Sequence, residues 1–503
     1  MASCVCLWAL FKIAAPLTVS YCLRCGESLI QLFFAGILAT RAGDTRILAG
    51  VSLASMFYNV SFLSMAVGMS TALDTLGSQY NGAQKYFEVV IVLQRSVVVL
   101  ALMLVPVCVI WSFIGEIFAA VGVDAETVSI MLRYFAVIGW IVPGKIVAIS
   151  YRKYLMCMGL TWPHMYMNLV SDVVIIIACA AALHMDWGVV GLGWAWVMGS
   201  YAGGMFIVAV TYFQPEVQRS VAVLPFFPLH KEAWAWVGIK EYVCLGFPGM
   251  VMVCAEWWAY EILMVFASVL GPDAITAQSL IFQLSNLTFM IPSCTGMATN
   301  ILVGNALGAS KQQLAVDVGR TSLGTIALIE GAVIMPVMLF CGGAFVGLYS
   351  TDEAVMWESM RAIPILAAAS FCDGVQAVAS GILRGTGNQK IGAYTNLACF
   401  YIIGVPLAHF FCFSMNMRVS GLILGLSVAV AVQCAVLLFF VFCRQDQIYT
   451  KLEGADTAAK YNSVPQESSE LAINTDSSNN ESETDDVELM TAVLASDHAY
   501  SEV

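Results

Sequence analysis

The chain has 503 residues, of which 60% are hydrophobic and only 11% are charged. A soluble domain needs about 25% charged residues to cover its surface, so this composition excludes an ordinary soluble protein. A membrane-spanning helix takes roughly 20 apolar residues, so a chain of this length and composition has room for about a dozen of them. The sequence therefore predicts an all-α integral membrane protein.

Apolar runs broken by polar residues follow one another along the chain and predict twelve transmembrane helices. Several runs are longer than a bilayer requires, so we expect those helices to tilt or to extend beyond the membrane. The runs cover residues 10–39, 47–77, 87–113, 127–156, 163–184, 188–213, 243–270, 275–307, 314–349, 354–385, 391–413 and 420–443.

The net charge of −12 is concentrated at the end of the chain. Residues 444–503 carry 13 acidic and 3 basic side chains, which leaves the preceding part nearly neutral. This segment is rich in Ser, Asn, Asp and Glu and lacks the apolar surface needed to fold, so we predict a disordered acidic tail. Its acidity gives no reason to expect a nucleic-acid partner.

Basic side chains are distributed unequally between the two sides of the predicted membrane protein. Thirteen lie in alternate connections and after the last helix, whereas the opposite connections hold three arginines. Positively charged connections tend to stay in the cytoplasm, so both termini are predicted to be cytoplasmic. The membrane is expected to be a plasma membrane or an acidic organelle membrane. The thirteen are Lys85, Arg152, Lys153, Arg219, Lys231, Lys240, Lys311, Arg320, Arg384, Lys390, Arg444, Lys451 and Lys460.

Four short matches indicate an internal repeat. GMST at 68–71 recurs as GMAT at 296–299, and SQYNGA at 78–83 recurs as GNALGA at 304–309. The pair Leu155 and Gly159 recurs 228 residues later, as does the dipeptide at 168–169. We therefore predict two six-helix lobes, residues 1–213 and 243–443, joined by a cytoplasmic linker at 214–242. Six is even, so an axis along the membrane normal relates the lobes, with the substrate cavity expected at their junction.

Charged side chains inside spans are costly, at least about 2.5 kcal/mol each by insertion scales, and need an explanation. Arg24 and Glu27 lie three residues apart on one helix face, which favours a local ion pair. Lys145 is interpreted as a buried counter-ion without an identified partner. Three others are placed toward helix ends, where structural pairing is the simpler interpretation: Asp74, Arg95 and Glu330.

The segment CAEWWAYEI at 254–262 combines acids with aromatic rings. Helical spacing places Glu256 and Tyr260 on one face and Trp257 and Glu261 on another. A carboxylate beside an aromatic ring attracts an organic cation through its charge and through the ring quadrupole. A carboxylate removed from water also takes up a proton more readily. The structural alternative is that the rings fill the core while the acids pair with a hydroxyl or an amide.

These motifs resemble the multidrug and toxic compound extrusion (MATE) family, in particular its animal-like branch. The resemblance rests on CAEWWAYEI, VGNALGAS and GILRGTGNQKIGAYTNL in the second half and on ALDTLGSQYNGA and VLQRSVVV in the first. It implies two six-helix bundles in pseudo-twofold relation and export of organic cations in exchange for protons or sodium ions. It also implies an acidic pair at Glu256 and Asp373, with Glu261 as a further acid.

The resemblance gives a set of candidate site residues. Gln283 stands where some animal members carry another acid, and some prokaryotic members use an acid in the helix that holds Asp172. Asn168 and Asp172 are therefore a candidate first-half cation site. The proton-coupling and substrate-binding set of the second half is Glu256, Asp373, Glu261, Trp257, Tyr260, Phe282, Gln283 and Gln376.

The leading functional hypothesis is a proton-coupled exporter of organic cations, monomeric in the bilayer and without a metal or another cofactor. A sodium-coupled exporter would use the same acids. A lipid-linked precursor flippase has a related architecture but needs a more basic cavity. An enzyme is disfavoured because the five histidines are scattered, without an HExxH motif or a cluster of histidines with acids. The CxxC at 22–25 has no second pair of ligands and no nearby histidine, so it does not indicate a metal site.

Overall fold

The computed structural model describes residues 2–120, 122–214, 217 and 230–449. Eleven helical segments in this part of the chain are long and apolar enough to cross a membrane, and a bent helix pair supplies a twelfth span. The predicted number of spans and the all-α class are confirmed. The spans are α1 (Ala2–Ala42), α2 (Arg46–Gly82), α3 (Tyr86–Ser112), α4 (Ala125–Ile138 and Ile141–Cys157), α5 (Trp162–His184), α6 (Gly188–Phe213), α7 (Trp236–Leu270), α8 (Pro272–Gly308), α9 (Gln312–Gly347), α10 (Glu353–Gly385), α11 (Gln389–Ser414) and α12 (Arg418–Cys443).

The bend in α4 has a cause in the sequence. The two helices of the pair meet at an angle of 52° around residues 139–140. Pro143 has no backbone N–H and its ring crowds the carbonyl group four residues earlier, that of Gly139, so the helix cannot continue straight at this point. At the start of α4, Asp124 accepts a hydrogen bond from the backbone N–H of Thr127 at 2.8 Å and caps the helix.

The internal repeat is visible in the backbone as well as in the sequence. Gly159 and Gly387, at equivalent places after α4 and α10, have φ values of 81° and 76°. Gln84 and Ser310, after α2 and α8, have φ values of 58° and 61°, a region that side chains other than glycine rarely adopt. The two bundles therefore use the same turns, including strained ones.

The segments around the bundles are only partly described. α7 begins at Trp236, inside the predicted linker, and linker residues 215–216 and 218–229 lie outside the described part of the chain. A helical turn at Gln445–Ile448 opens the predicted tail, and Tyr449 after it is buried. Asn388 in the loop before α11 donates a hydrogen bond to the carbonyl of Ile448 at 3.0 Å. The predicted disorder beyond residue 449 concerns residues outside the described part.

Hydrogen bonds join the two bundles at the end that carries the loops 83–85 and 309–311, called here the cytoplasmic end after the sequence prediction. Asn81 donates to the side chain of Asn305 at 2.9 Å, and Gln79 donates to the carbonyl of Gly385 at 3.0 Å. Gln389 donates to the hydroxyl of Thr75 at 2.9 Å. Buried amides and hydroxyls thus hold the bundles together at this end.

Structural pairing accounts for two of the charges predicted toward helix ends. Asp74 in α2 forms a buried ion pair with Lys153 in α4, close to the cytoplasmic end. Arg95 in α3 donates to the carbonyl of Glu232 at 3.1 Å and so fixes the end of the linker. The interpretation of both residues as structural is consistent with these contacts.

Candidate functional site

A small cavity lies inside the second bundle, enclosed by α7, α8, α9, α10 and α12. Its free volume is ≈ 30 Å³, which accommodates about two waters at roughly 10–15 Å³ each but no organic cation. Acids, hydroxyls, amides and apolar groups line it, without any lysine, arginine or histidine among the described residues. The polar lining residues are Tyr260, Gln278, Ser285, Thr288, Glu330, Ser370, Asp373 and Ser427.

Three of the residues predicted for the site line this cavity: Tyr260, Phe282 and Asp373. Asp373 lines it from α10, and its charge interacts with Glu256 and Tyr260 on α7. The rings of Tyr260 and Phe282 lie 5.3 Å apart between centroids at an angle of 45°. The predicted common face of Glu256 and Tyr260 is consistent with this, since both side chains act on one carboxylate. The arrangement offers two acids and an aromatic wall.

A chain of buried amides connects Asp373 to α7. The amide of Gln376 donates to Asp373 Oδ1 at 3.0 Å, and Gln433 in α12 donates to Gln376 Oε1 at 3.0 Å. Gln433 also donates to Asn396 Oδ1 at 2.8 Å, and Asn396 donates to the carbonyl of Met252 at 2.9 Å. That carbonyl lies one helical turn before Glu256. The framework spans four helices and therefore ties Asp373 to the backbone of α7 one turn before Glu256.

Sequence reasoning identified Gln376 but missed Gln433 in this framework. The signal for Asn396 was present, because it is the repeat equivalent of Asn168. Asn168 donates to the carbonyl and hydroxyl oxygens of Ser20 in α1, at 2.8 and 2.9 Å. The two asparagines thus have the same structural role, because each joins the fifth helix of its bundle to the first by hydrogen bonds. Nothing in the sequence marks Gln433, which is fully buried.

Other predicted residues lie away from the cavity. Glu261 and Trp257 are half-buried on α7, and Gln283 is exposed on α8. Among the described residues, none of these three belongs to the cavity lining. The neighbouring Trp258 donates its indole N–H to the carbonyl of Val60 in α2 at 3.3 Å. This part of α7 therefore faces the first bundle.

The first bundle contains its own buried charges, paired differently from the prediction. Lys145 Nζ lies 2.9 and 3.2 Å from the two carboxylate oxygens of Glu27. The predicted local pair of Arg24 with Glu27 is wrong, since the guanidinium of Arg24 stacks on the ring of Tyr21 at 4.1 Å. Packing of α4 near α1 brings the ammonium to Glu27, and no local spacing in the sequence reveals that contact.

Asp172 is the third charged group of this cluster. The residue is buried on α5, with 8% of its surface exposed, and a β-carbon on Gly26 would be in van der Waals contact with one of its carboxylate oxygens. Its charge interacts with those of Glu27 and Lys145. The candidate first-half site therefore contains two carboxylates, those of Glu27 and Asp172, and a single ammonium group, that of Lys145. Asn168 serves the packing of α5 on α1.

Glu330 is a site residue that sequence reasoning placed wrongly. It was predicted toward a helix end, yet it is the nineteenth of the 36 residues of α9. It opens a π-helical turn, Glu330–Ile334, and lines the second-half cavity. The run at 314–349 already had its centre near this residue, so the hydropathy pattern contained the correct depth.

The described residues contain no group of three or more histidine, cysteine or acidic side chains arranged to hold a metal ion. The oxygen-rich lining of the second-half cavity suits a proton or a small hard cation better than a transition metal, which prefers nitrogen and sulfur ligands.

Comparison with known proteins gives one consistent result. The profile of the MatE family matches residues 16–181 and 248–410. The chain is 29% identical to multidrug and toxin extrusion protein 1 of Mus musculus, over 89% of this chain and 78% of that protein. It is 30% identical to protein DETOXIFICATION 17 of Arabidopsis thaliana, over 86% and 90%.

Solved structures show the same fold. The crystal structure of the eukaryotic MATE transporter AtDTX14 superimposes with a TM-score of 0.79, at 23% identity, over 89% of this chain and 98% of that chain. A MATE transporter of Vibrio cholerae gives a TM-score of 0.76 at 14% identity, over 89% and 99%. At these identities the likeness concerns the fold, two bundles of six transmembrane helices.

Proposed function

The chain belongs to the MatE family of multidrug and toxin extrusion transporters, and on that basis we propose that it exports organic cations in exchange for protons. Its members are membrane transporters and not enzymes. The observation that carries the finer proposal is the charge interaction of Glu256 with Asp373. Asp373 and Tyr260 line a cavity that has no basic side chain among its described lining residues. Two neighbouring acids beside an aromatic ring favour a cationic ligand.

Protons and substrate compete in this mechanism. An organic cation is attracted while Glu256 and Asp373 are ionised, and protonation removes the charge that attracts it. Exchange also requires that the two ligands favour different conformations, because a ligand with equal affinity for both states shifts nothing. The amide framework around Asp373 gives a physical route, since a charge change at this acid alters hydrogen bonds that reach α7.

The closed cytoplasmic end supports an order of events. Contacts such as Asn81 with Asn305 seal this end, so in the proposed cycle the proton enters from the opposite side. The proton occupies the small cavity, which is too small for the substrate in this state. Opening at the cytoplasmic end then lets the proton leave and the organic cation bind at the junction of the bundles. The two ligands thus use the acids in alternation.

Pro248 supports this cycle from within α7. It lies inside the helix, eight residues before Glu256, and leaves the carbonyl of Cys244 without its usual helical donor. A helix weakened at this point bends at lower cost between two conformations.

We also propose that both termini are cytoplasmic, that the protein resides in a plasma membrane or an acidic organelle membrane, and that it works as a monomer.

Sodium coupling is the second candidate, because the cavity is lined by the carboxylate, hydroxyl and amide oxygens that a hard cation prefers. Purified full-length protein in vesicles, with a fluorescent organic cation as probe, separates the two. Proton coupling predicts uptake that follows an imposed pH difference at constant sodium concentration. Uptake that follows only a sodium gradient would replace the proton by sodium, and uptake driven by neither would refute coupled exchange.

A further inference from the structure

The side chain of Glu330 occupies an unusual position. It is 1% exposed and points into the second-half cavity from the middle of α9. The π-helical turn that begins at Glu330 inserts one residue into the helix and changes the direction in which side chains point. Such turns are frequent at functional sites. Glu330 thus reaches the cavity from a different helix than Glu256 and Asp373.

The backbone of α10 leaves room for this carboxyl group at one residue. A β-carbon on Gly374 would overlap the carboxyl carbon and one oxygen of Glu330. Only glycine therefore permits the present packing, and Gly374 directly follows Asp373 in the chain. By contrast, a β-carbon on Gly331 would come no closer than 3.7 Å to the ring of Phe371, an ordinary contact. The sequence thus keeps a space for the Glu330 carboxyl beside the coupling acid.

One oxygen of this carboxyl group lacks a partner. Glu330 Oε2 is buried and makes no hydrogen bond with any described residue, although Ser370 interacts with the group. A buried carboxylate with an unsatisfied oxygen is costly unless a cation or a proton compensates it. The titratable groups that face it are Asp373 from α10 and Tyr260 from α7 across the cavity. α8 and α12 contribute neutral groups: Gln278, Ser285, Thr288 and Ser427.

We propose that Glu330 is a third carboxyl group of the coupling site and that it holds the exchanged proton together with Asp373. The proton passes between the two carboxyl groups directly or through a water, for which the cavity has room. One proton removes the repulsion between two neighbouring carboxylates and satisfies the open oxygen of Glu330. This inference rests on the proposed proton exchange and deepens it, because it assigns the proton site.

The test uses full-length protein in phosphatidylcholine vesicles and tetraethylammonium as ligand. This ion carries a fixed charge, so any pH dependence of its binding belongs to the protein. The protons released per tetraethylammonium bound are measured with a pH indicator for wild type, Glu330→Gln and Glu330→Asp. We expect Glu330→Gln to lower the release by about half, since one of the coupled acids is removed. Glu330→Asp retains a carboxyl group and is expected to restore the release.

A glycine pair provides the matched control. Gly374→Ala displaces the Glu330 carboxyl without changing any titratable group, and Gly331→Ala adds the same methyl group where space exists. We expect Gly374→Ala to slow pH-driven exchange about tenfold or more, a loss of about 1.4 kcal/mol in transition-state stabilisation, while Gly331→Ala behaves as wild type. If Glu330→Gln does not insert into the membrane, Glu330→Asp and the glycine pair decide the question.

Three outcomes are distinguishable. Unchanged proton release in Glu330→Gln, with wild-type exchange, would overturn the role of Glu330 and leave the proposed function intact. A wild type that releases no proton on binding tetraethylammonium and shows no pH-driven exchange would refute the proposed function itself. Dependence on sodium chloride that potassium chloride does not reproduce would assign the cavity to sodium and overturn the proton site.

Discussion

The backbone of Gly82 lies so close to the backbone carbonyl of Asn305 that a β-carbon on Gly82 would overlap it. The repeat creates the same contact a second time: a β-carbon on Gly308 would overlap the carbonyl of Gln79. Gly82 and Gly308 are equivalent in the two halves, as are Gln79 and Asn305. α2 and α8 therefore meet in a self-complementary contact, like that of a twofold dimer, which closes the cytoplasmic end.

The first prediction concerns this contact. Gly82→Ala and Gly308→Ala should each separate the bundles at the cytoplasmic end and slow transport to a similar extent. Cys157 is fully buried beside Gly77 and serves as a reporter, since its reaction with a thiol reagent should accelerate in both variants. The rate is measured by mass spectrometry of the peptide that contains Cys157.

The control for this experiment is Gly324→Ala on α9, where a β-carbon has no atom within 4 Å. This variant should label and transport as wild type. Wild-type labelling of Cys157 in both Gly82→Ala and Gly308→Ala would show that the contact does not seal this end.

The second prediction concerns Glu256. Glu256→Gln keeps the size of the side chain and its hydrogen-bonding capacity, so we expect normal expression and membrane insertion. It removes a charge that attracts the cation and an acid that exchanges the proton, so pH-driven transport should be lost. Transport is measured in vesicles at equal protein content. Exchange at the wild-type rate would exclude Glu256 as a coupling residue.

The third prediction concerns the pH dependence of binding. Wild type should bind a permanently charged organic cation less tightly as the pH falls, because protonation removes negative charge from Glu256 and Asp373. In Asp373→Asn the remaining carboxylate no longer faces a like charge and stays ionised to lower pH. The midpoint of the binding curve should therefore move to lower pH, with weaker maximal affinity. The measurement is equilibrium binding across pH, and an identical midpoint in both proteins would mean that the two acids are not coupled.

The fold was predictable from the sequence to a large extent. Hydropathy placed the twelve spans within a few residues at most ends, because an apolar run has few alternatives inside a bilayer. The bend in α4 was not predicted, although Pro143 in the sequence indicates a break in the helix. Short sequence matches revealed the repeat, and paired positive φ values such as those of Gly159 and Gly387 show it in the backbone.

The site was less predictable, because its contacts join residues that are distant in the chain. Lys145 is 118 residues from Glu27, and Gln433 is 57 residues from Gln376. Local spacing suggested Arg24 for Glu27 because it considers a single helix, whereas helix packing decides the partner. Glu330 was interpreted as structural because it was placed near the end of its helix and not at the middle. Its neighbour in space, Gly374, has no side chain that would indicate a site.

The fourth prediction concerns the charged cluster of the first bundle. Lys145→Met leaves Glu27 and Asp172 buried without a counter-ion, whereas Glu27→Gln leaves Lys145 beside Asp172. The first variant should therefore lose more stability, up to about 3 kcal/mol for an uncompensated buried charge. Thermal unfolding in detergent measures the difference. The double variant, Lys145→Met with Glu27→Gln, is expected to unfold at a higher temperature than Lys145→Met alone. Equal destabilisation by the two single variants would show that Asp172 does not compensate Lys145.

The fifth prediction separates the tail from the segment that precedes it. Deletion of residues 450–503 should leave turnover per inserted molecule unchanged. Deletion from residue 445 also removes the buried side chains of Ile448 and Tyr449, which pack beside the loop before α11. We expect this second deletion to lower the yield of folded protein. The two are compared by transport normalised to surface level, and a large loss of turnover in the shorter deletion would assign the tail a role in gating.

The pair of Lys145 with Glu27 also bears on the electrical behaviour of the transporter. Both charges are attached to the chain and neutralise each other, so they make no net contribution to the charge carried across the bilayer in a complete cycle. For a stoichiometry of one proton per monovalent organic cation, the charges that move in the two directions also cancel. Membrane voltage, which acts with about 2.3 kcal/mol per elementary charge per 100 mV, then does no net work on the cycle. With that stoichiometry the pH difference alone drives transport, and no steady current flows.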